Sequence, residues 1–334
     1  MKKLMLIAAA CVALASCVKN EVEPIVNDAP ISFQAVQGLE STRAAYPNDH
    51  FVASALLLQS GEAWAADKAT AQNFFLNQEV TNHGDVDTDG IDEWSTATPY
   101  YWPEQGSLTF FAYYPKTVAA GEVSADRTAY TFAGYNDDTY KNIDFLVADI
   151  ATDKNGTDVP AVFRHKMTKI ALDMKVETEQ VGRKITLQKV ELNNVANVAT
   201  YTQPTDASAD NWSAWGAQTN DYTLYDAAAL VLSATAQEVA LDKYIYIPQN
   251  LADDATLKIT YNVETTIGGV TSVEKVVVEN TFDKIHDNTG ATKAAVWAKN
   301  QFVTYTITIA DAKQIYWEPS IIEWDTTHND GITI

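Results

Sequence analysis

Along most of the chain, apolar and polar residues alternate with a period of two, the repeat of a strand that buries one face. Ile170, Leu172, Met174 and Val176 alternate with Ala171, Asp173, Lys175 and Glu177. Leu257, Ile259, Tyr261 and Val263 do the same, and Gly268-Gly269 then supplies a hairpin turn toward Val273 to Val278. Leu108 to Tyr114, closed by Pro115, is aromatic-rich and turn-bounded. Asp144 to Ala148 and Phe302 to Ile309 add two further strand patterns. Ahead of all of these, Ile31, Phe33 and Ala35 alternate with Ser32 and Gln34, which predicts one half-buried strand. Only Ala63 to Phe75 departs from the pattern: Trp64, Lys68, Ala71 and Phe75 fall near one helical face, so a helix or a loop is expected there. The alternation relaxes over Thr178 to Arg183, between two strong strands, and a domain boundary is expected at that point. Many short strands with turn signals, without an internal repeat or a heptad run, predict an all-β chain of two β-sandwiches in tandem, 44–180 and 181–334.

The first residues follow a different rule. Lys2-Lys3 and the apolar run Leu4 to Leu14 form an export signal too short to span a bilayer. It ends in Leu14-Ala15-Ser16-Cys17, the lipobox pattern of bacterial lipoproteins, which predicts a signal peptide over 1–16 and acylation of the Cys17 thiol. Cys11 is a weaker second candidate, because it leaves too little apolar sequence before it. An acylated terminus anchors a protein to a membrane surface without spanning it. Val18 stands where an inner-membrane retention signal has Asp, and Glu21 and Glu23 resemble the acidic tracts of surface-exported lipoproteins. Residues 18–30 are polar, with Pro24 and Pro30, and read as an extended tether. Gln37 to Arg43 reads as an exposed loop, and Arg43-Ala44-Ala45 suits an Arg-specific protease. A single Arg in a loop is ordinarily just a solvated side chain.

Composition narrows the function. The 334 residues are 46% hydrophobic, enough for a packed core, and the formal charge of −21 is repelled by phosphate backbones, which excludes nucleic acid as a partner. Two cysteines build neither a disulfide framework nor a Cys-rich zinc site. The sequence contains no nucleophile elbow, phosphate-binding glycine loop or dinucleotide fingerprint, and the five His are scattered singly. No enzyme and no cofactor are expected. Asp85, Asp87 and Asp89, followed by Gly90, resemble the start of a calcium-binding EF-hand loop. Thr96 stands where the bidentate Glu belongs and Asp92 where an apolar residue does, so an exposed turn accounts for the segment as well as a weak calcium site. Trp64, Trp94, Trp212 and Trp215 are candidates for a stacking platform in a monomeric surface lipoprotein that binds carbohydrate or protein, although Trp in a sandwich is mostly core.

Several segments, taken in order, resemble the fimbrillins, the type V pilins (Mfa-like group) of Gram-negative anaerobes. They are Tyr101-Trp102-Pro103 with Leu108 to Pro115, Asp144 to Ala148, Phe163 to Ile170, Tyr246-Ile247-Pro248-Gln249, Trp297 with Asn300 and Tyr305 to Ile309, and Ile322 with Trp324. The resemblance implies two transthyretin-like sandwiches preceded by a lipoprotein signal peptide and a cleavable strand. It implies Cys17 as the lipid site, Arg43/Ala44 as the scissile bond of an Arg-specific surface protease, and 17–43 as a propeptide whose strand (Ile31, Phe33, Ala35) is displaced. A donor tail at about 317–334, carrying Ile321, Ile322, Trp324, Ile332 and Ile334, then fills the vacated groove of another fimbrial subunit. The expected location is the outer membrane for the precursor and an extracellular fimbrium for the product. The aromatic residues of these motifs are expected to bury sheet faces.

Overall fold

The computed structural model describes residues 30–37, 49–86, 88, 92–118, 120–206, 208–282, 295–311 and 314–324. The strands of the first half are β1 (Phe33–Gln37), β2 (His50–Leu58), β3 (Gln72–Asn82), β4 (Trp94–Thr96), β5 (Ser107–Tyr114), β6 (Glu122–Val123), β7 (Ala129–Asn136), β8 (Leu146–Ala148), β9 (Ala151–Lys154), β10 (Val159–His165) and β11 (Thr168–Val176). The second half contributes β12 (Arg183–Val195), β13 (Val198–Pro204), β14 (Asn211–Ser213), β15 (Asn220–Val231), β16 (Gln237–Glu238), β17 (Ile245–Tyr246), β18 (Gln249–Asn250), β19 (Thr256–Ile267), β20 (Val270–Thr281), β21 (Val296–Trp297), β22 (Gln301–Asp311) and β23 (Gln314–Glu323).

The largest sheet runs β2-β3-β4-β1-β10-β8-β5, and β5 pairs again with β2, from Val52↔Tyr113 to Leu58↔Ser107. That second pairing closes seven strands into a barrel, with β9 beside β5. Its interior holds Phe33, Phe51, Ala53, Ala55, Phe110, Ala112, Ala161 and Phe163. Small residues alternate with rings there because a narrow barrel has room for few large side chains on one level. The other faces of β2, β5 and β8 present Val52, Phe111, Tyr113 and Val147 to a second sheet, β14-β13-β7-β6, whose Tyr130, Phe132, Tyr135, Tyr201 and Trp212 complete the layer. Strands buried on both faces need continuous apolar sequence, which is what His50 to Leu58 and Ser107 to Tyr114 supply.

The second core lies between β16-β11-β22-β23 (with β17 on β11) and β15-β12-β19-β20. The alternating Ile170, Leu172, Met174 and Val176 of β11 meet Leu187, Val190 and Leu192 of β12 and Leu257, Ile259 and Tyr261 of β19. β11 and β22 run parallel in unbroken register from Thr168↔Gln301 to Val176↔Ile309.

Three expectations need correction. The first unit is a closed barrel with a sheet packed on it, where a two-sheet sandwich was expected; a period-two pattern reports which face is buried and is silent about which edges pair. A division at 180/181 cuts through both units, since β11 pairs with β22 while β13 and β14 pair, directly or in turn, with β7. The helical face expected over 63–75 shrinks to one turn, Trp64–Asp67, and a 3-10 turn, Lys68–Thr70. Beyond Ala71 the chain joins β3, where pairing with β2 wins; Trp64 and Phe75 enter different cores.

Buried ion pairs tie the two units together. Lys243, ahead of β17, reaches Asp137 at 2.7 Å and Asp138 at 2.6 Å just after β7, over the rings of Tyr222 and Tyr246. Asp210, between β13 and β14, accepts from Lys166 at 2.8 Å and pairs with Lys299 ahead of β22. Against burial, which acts to raise it, the two ammoniums hold the Asp210 carboxyl well below the usual range. Asp137 goes the other way: burial pushes it up to about 6, with Lys243 opposing. An unfolded Asp loses its proton near pH 4, so between about pH 4 and 6 the folded state holds one proton more and this group makes stability fall as pH rises, by up to ~1.4 kcal/mol per unit. In Asp137→Asn that component is absent. Urea unfolding across this window should then show a decline in stability less steep than in the wild type.

Candidate functional site

The first described strand occupies a slot in the barrel. Pro30 bridges to Tyr101, and the Ile31 N–H donates to the Tyr100 carbonyl at 2.7 Å. The Val159 N–H donates to the Ser32 carbonyl at 3.0 Å, and the Ser32 hydroxyl bonds the Asp158 carboxylate. β1 then runs parallel to β10 from Phe33↔Val159 to Gln37↔Phe163, and meets β4 antiparallel at Phe33↔Trp94. Its alternation works as the sequence predicts: Ile31 and Phe33 are 3% exposed and Ala35 8%, whereas Ser32 and Gln34 are half-buried. The Phe33 ring stands edge-on to Phe51 at 5.5 Å and to Phe110 at 5.6 Å. Burial of Ile31 and Phe33 contributes about 1.5–3 kcal/mol each. Without β1, the facing edges of β4 and β10 lose their partner and the barrel has an open seam.

The tail residues lie at home. β23 pairs antiparallel with β22, placing Ile321 opposite Val303 and Ile322 opposite Phe302, so Ser320 to Glu323 form the end of the chain's own second unit. Among the described residues β23 ends its row of strands and pairs with β22 alone. Ile321 packs on the second core, while Ile322 is exposed. Trp324 crosses to the other unit: it is buried in the layer outside the barrel and stacks on His165, 4.4 Å between centroids with planes 5° apart. His165 Nδ1 lies 2.6 Å from the Asp144 carboxylate, both side chains buried, and the Trp324 N–H donates to the Asn300 carbonyl at 2.8 Å. His165 is the last residue of β10, the strand that holds β1. The slot and the end of the tail therefore meet on one strand. In the sequence His165 is one of five scattered His, and its only signal is its place in the Phe163 to Ile170 segment.

Other predicted positions fare differently. Cys17, Arg43, Ala44, Ile332 and Ile334 lie outside the described residues, as do Asp87 and Asp89 of the calcium candidate; among the described residues no cluster of three or more His, Cys, Asp or Glu is placed to hold a metal. The Trp platform is corrected. Trp64, Trp94 and Trp212 are 2%, 1% and 6% exposed and serve as core, leaving Trp215, whose indole N–H donates to the Pro248 carbonyl at 2.9 Å. Single-sequence patterning cannot tell a buried indole from an exposed one. What the described site can do is physical: it holds a short apolar strand between two edges.

A sequence profile described as fimbrillin-like matches residues 59–324. The chain belongs to the fimbrillin-like family. No curated protein sequence matches it. Its fold is similar to that of a fimbrial protein from Bacteroides vulgatus, with TM-score 0.58 and 20% identity over 82% of this chain and 92% of that one. It is also similar to a candidate cell adhesion protein from Bacteroides uniformis, with TM-score 0.51 and 19% identity over 88% of this fimbrillin-like chain and 98% of the other.

Removing the Phe33 ring tests the slot directly. Phe33→Ala should lower stability by about 3–5 kcal/mol, as large-to-small changes in a core do. Hydrogen exchange should show the loss first in β4 and β10, with β12 and β19 keeping their protection. Equal loss in both units would mean that β1 is not a separable element.

Proposed function

We propose that this chain is a structural subunit of surface fimbriae that supports cell adhesion, exported as a lipoprotein precursor acylated at Cys17. An Arg-specific surface protease cuts after Arg43, β1 leaves its slot, and the tail strand of another subunit replaces it. The product then leaves the outer membrane for an extracellular fimbrium. The observation that carries this reading is β1 itself, a five-residue strand between β4 and β10 that buries Phe33 and Ala35, joined to β2 through the segment that contains Arg43. Strand replacement is supported by ordinary sheet chemistry, because a donor regains the ladder hydrogen bonds and fills the pockets of alternate side chains. A head-to-tail contact of this kind does not close on itself and yields a fibre.

The tail has to leave home to act as donor. Among the described residues β23 pairs with β22 alone, so it can depart with the loss of one ladder, and Trp324 must come off His165 when it does. The apolar Ile321, Ile322, Trp324, Ile332 and Ile334 are the side chains offered to the slot. Other fimbrial subunits are the partners, and the role is structural, without catalysis.

Arg43→Ala should preserve the folded monomer, since a loop Arg contributes little to stability, and should abolish polymerisation because β1 stays in place. Terminal mapping of wild-type fimbriae should give chains that start at Ala44. Normal fibres from the variant, or surface material that starts only at Cys17, would overturn the reading.

Deleting Ser320 to Ile334 separates the two halves of the exchange. Truncated subunits that start at Ala44 should be unable to extend a fibre from their own tail, yet should accept the tail of a full-length subunit in their slot. Self-polymerisation at the wild-type rate would place the donor elsewhere, and failure to fold would make β23 chiefly a strand of its own sheet.

A further inference from the structure

The edges of the sheets are not alike. β6, β9, β14 and β16, which stand at ends of three of the rows of strands, are two to four residues long. β15 is broken by three register shifts against β12, and β23 carries Pro319. β20 has none of these protections. It is 12 residues long, contains neither Pro nor Gly, and pairs with β19 without a bulge from Thr256↔Thr281 to Ile267↔Val270. Among the described residues no strand pairs with its other edge. Long, regular, β-branched edges are the ones onto which another strand adds.

Its side chains say what can add. Val276 and Val278 face the core, and Val273, Lys275, Val277 and Glu279 alternate with them on the outer face, where Val273 is 59% and Val277 52% exposed. In a two-fold antiparallel pair of identical strands, the residue on the axis faces its own copy and its neighbours pair symmetrically about it. With the axis at Val277, Lys275 faces the partner's Glu279, and Glu279 faces the partner's Lys275. Val277 then faces the partner's Val277, Val276 the partner's Val278, and Val273 the partner's Thr281. Axes at 274, 275 or 279 set like charges directly opposite each other, and axes at 276 or 278 leave the charged groups against valine or other uncharged side chains. One register thus places an apolar contact at the centre with an unlike charge pair on either side.

We propose that β20 is a self-association edge, at which two copies of this chain pair β20 to β20 about a two-fold axis at Val277. The contact is isologous and stops at two, unlike the open-ended slot contact, and it does not depend on that contact or on cleavage. Its small ladder makes it weak alone. Along a fibre the same contact recurs at every subunit, and many weak pairings bind two fibres side by side far more tightly than one pairing binds two subunits.

The test uses the full chain with β1 in place, followed by sedimentation velocity over a concentration series. Wild type should show a monomer–dimer equilibrium without higher species. Lys275→Glu and Glu279→Lys should each weaken the dimer by about tenfold or more, because each sets two like pairs where unlike pairs stood. An equimolar mixture of the two variants should dimerise again, since Glu at 275 in one copy then faces Lys at 279 in the other, and Glu279 of the first faces Lys275 of the second. Thermal melts confirm that each variant is folded. Val277→Glu, at an exposed position, is the second variant should Glu279→Lys perturb the contact of Glu279 with Thr256, and it should also weaken the dimer. A wild-type chain that is monomeric throughout, single variants that dimerise as wild type does, or a mixture that stays monomeric would each overturn the proposal. A wild type that forms long polymers would attribute the association to another surface and overturn it too.

Discussion

A sheet closed into a barrel has no edges only while every seam has its strand. In this chain the last seam, between β4 and β10, is filled by β1, and much of the first unit is arranged around that insertion. Phe33 is the ring on which Phe51 and Phe110 converge, and Phe51 in turn touches Trp94 and Phe163, so the interior is one connected set of aromatic contacts. Such contacts add to the area buried and are lost together when the central ring goes. The small residues Ala53, Ala55 and Ala112 leave the space that these rings use. The slot is a consequence of barrel closure, and no separate cleft is needed to explain it.

The two units are not beads on a string. β10 and β11 are consecutive strands in different units, and β12 and β13 return the chain from the second unit to the first. The junction is held by ion pairs whose inner members are taken out of water, Lys243 with Asp137 and Lys166 with Asp210, to which the more exposed Asp138 and Lys299 add. Such pairs add less net stability than their Coulomb attraction suggests, because both partners are desolvated, but breaking one leaves a buried charge without compensation. They therefore fix the way the units meet more than they strengthen the fold. Trp324 stacked on His165 is the aromatic counterpart of this junction, and it lies where β10, the strand that holds β1, ends.

Much of this was legible in the sequence, and the failures share a cause. Alternation placed β1, β11 and β19, aromatic-rich and β-branched runs placed β5 and β22, and the Gly268-Gly269 turn joins β19 to β20 with both residues in the left-handed region that glycine favours. Each of these is a local signal. Pairing across long separations leaves no local trace, so the β2–β5 closure and the return of β13 to β7 were invisible, and the boundary at 180/181 fell between β11 and β12, whose sheets pack against each other in one core. Residues 63–75 show the same limit: the spacing of Trp64, Lys68, Ala71 and Phe75 satisfies a helix, but the edge of β2 needs a partner, and a ladder along β3 outweighs weak helical propensity. The candidate slot was readable as a strand and unreadable as a slot, because nothing in Ile31 to Ala35 says that Val159 to Phe163 waits beside it.

Not every strand of a barrel can be exchanged, and the position of β1 explains why it is the one suited to it. β2 is flanked along most of its length by β3 and β5, so its loss breaks two long ladders and two cores. β1 has a five-residue ladder with β10 and a single paired residue on β4. Its burial of Ile31 and Phe33 is worth a few kcal/mol, against the ~5–15 kcal/mol typical of a folded domain, so the remaining barrel can outlast its removal. Topology adds the decisive point. An interior strand is tied to the body at both ends and needs two chain breaks to come free. β1 precedes every other described strand, so one break between β1 and β2 releases it without threading any part of the chain through another. The same break leaves β2 to β23 covalently continuous, with an open seam of defined register that fits an extended strand carrying apolar side chains at alternate positions.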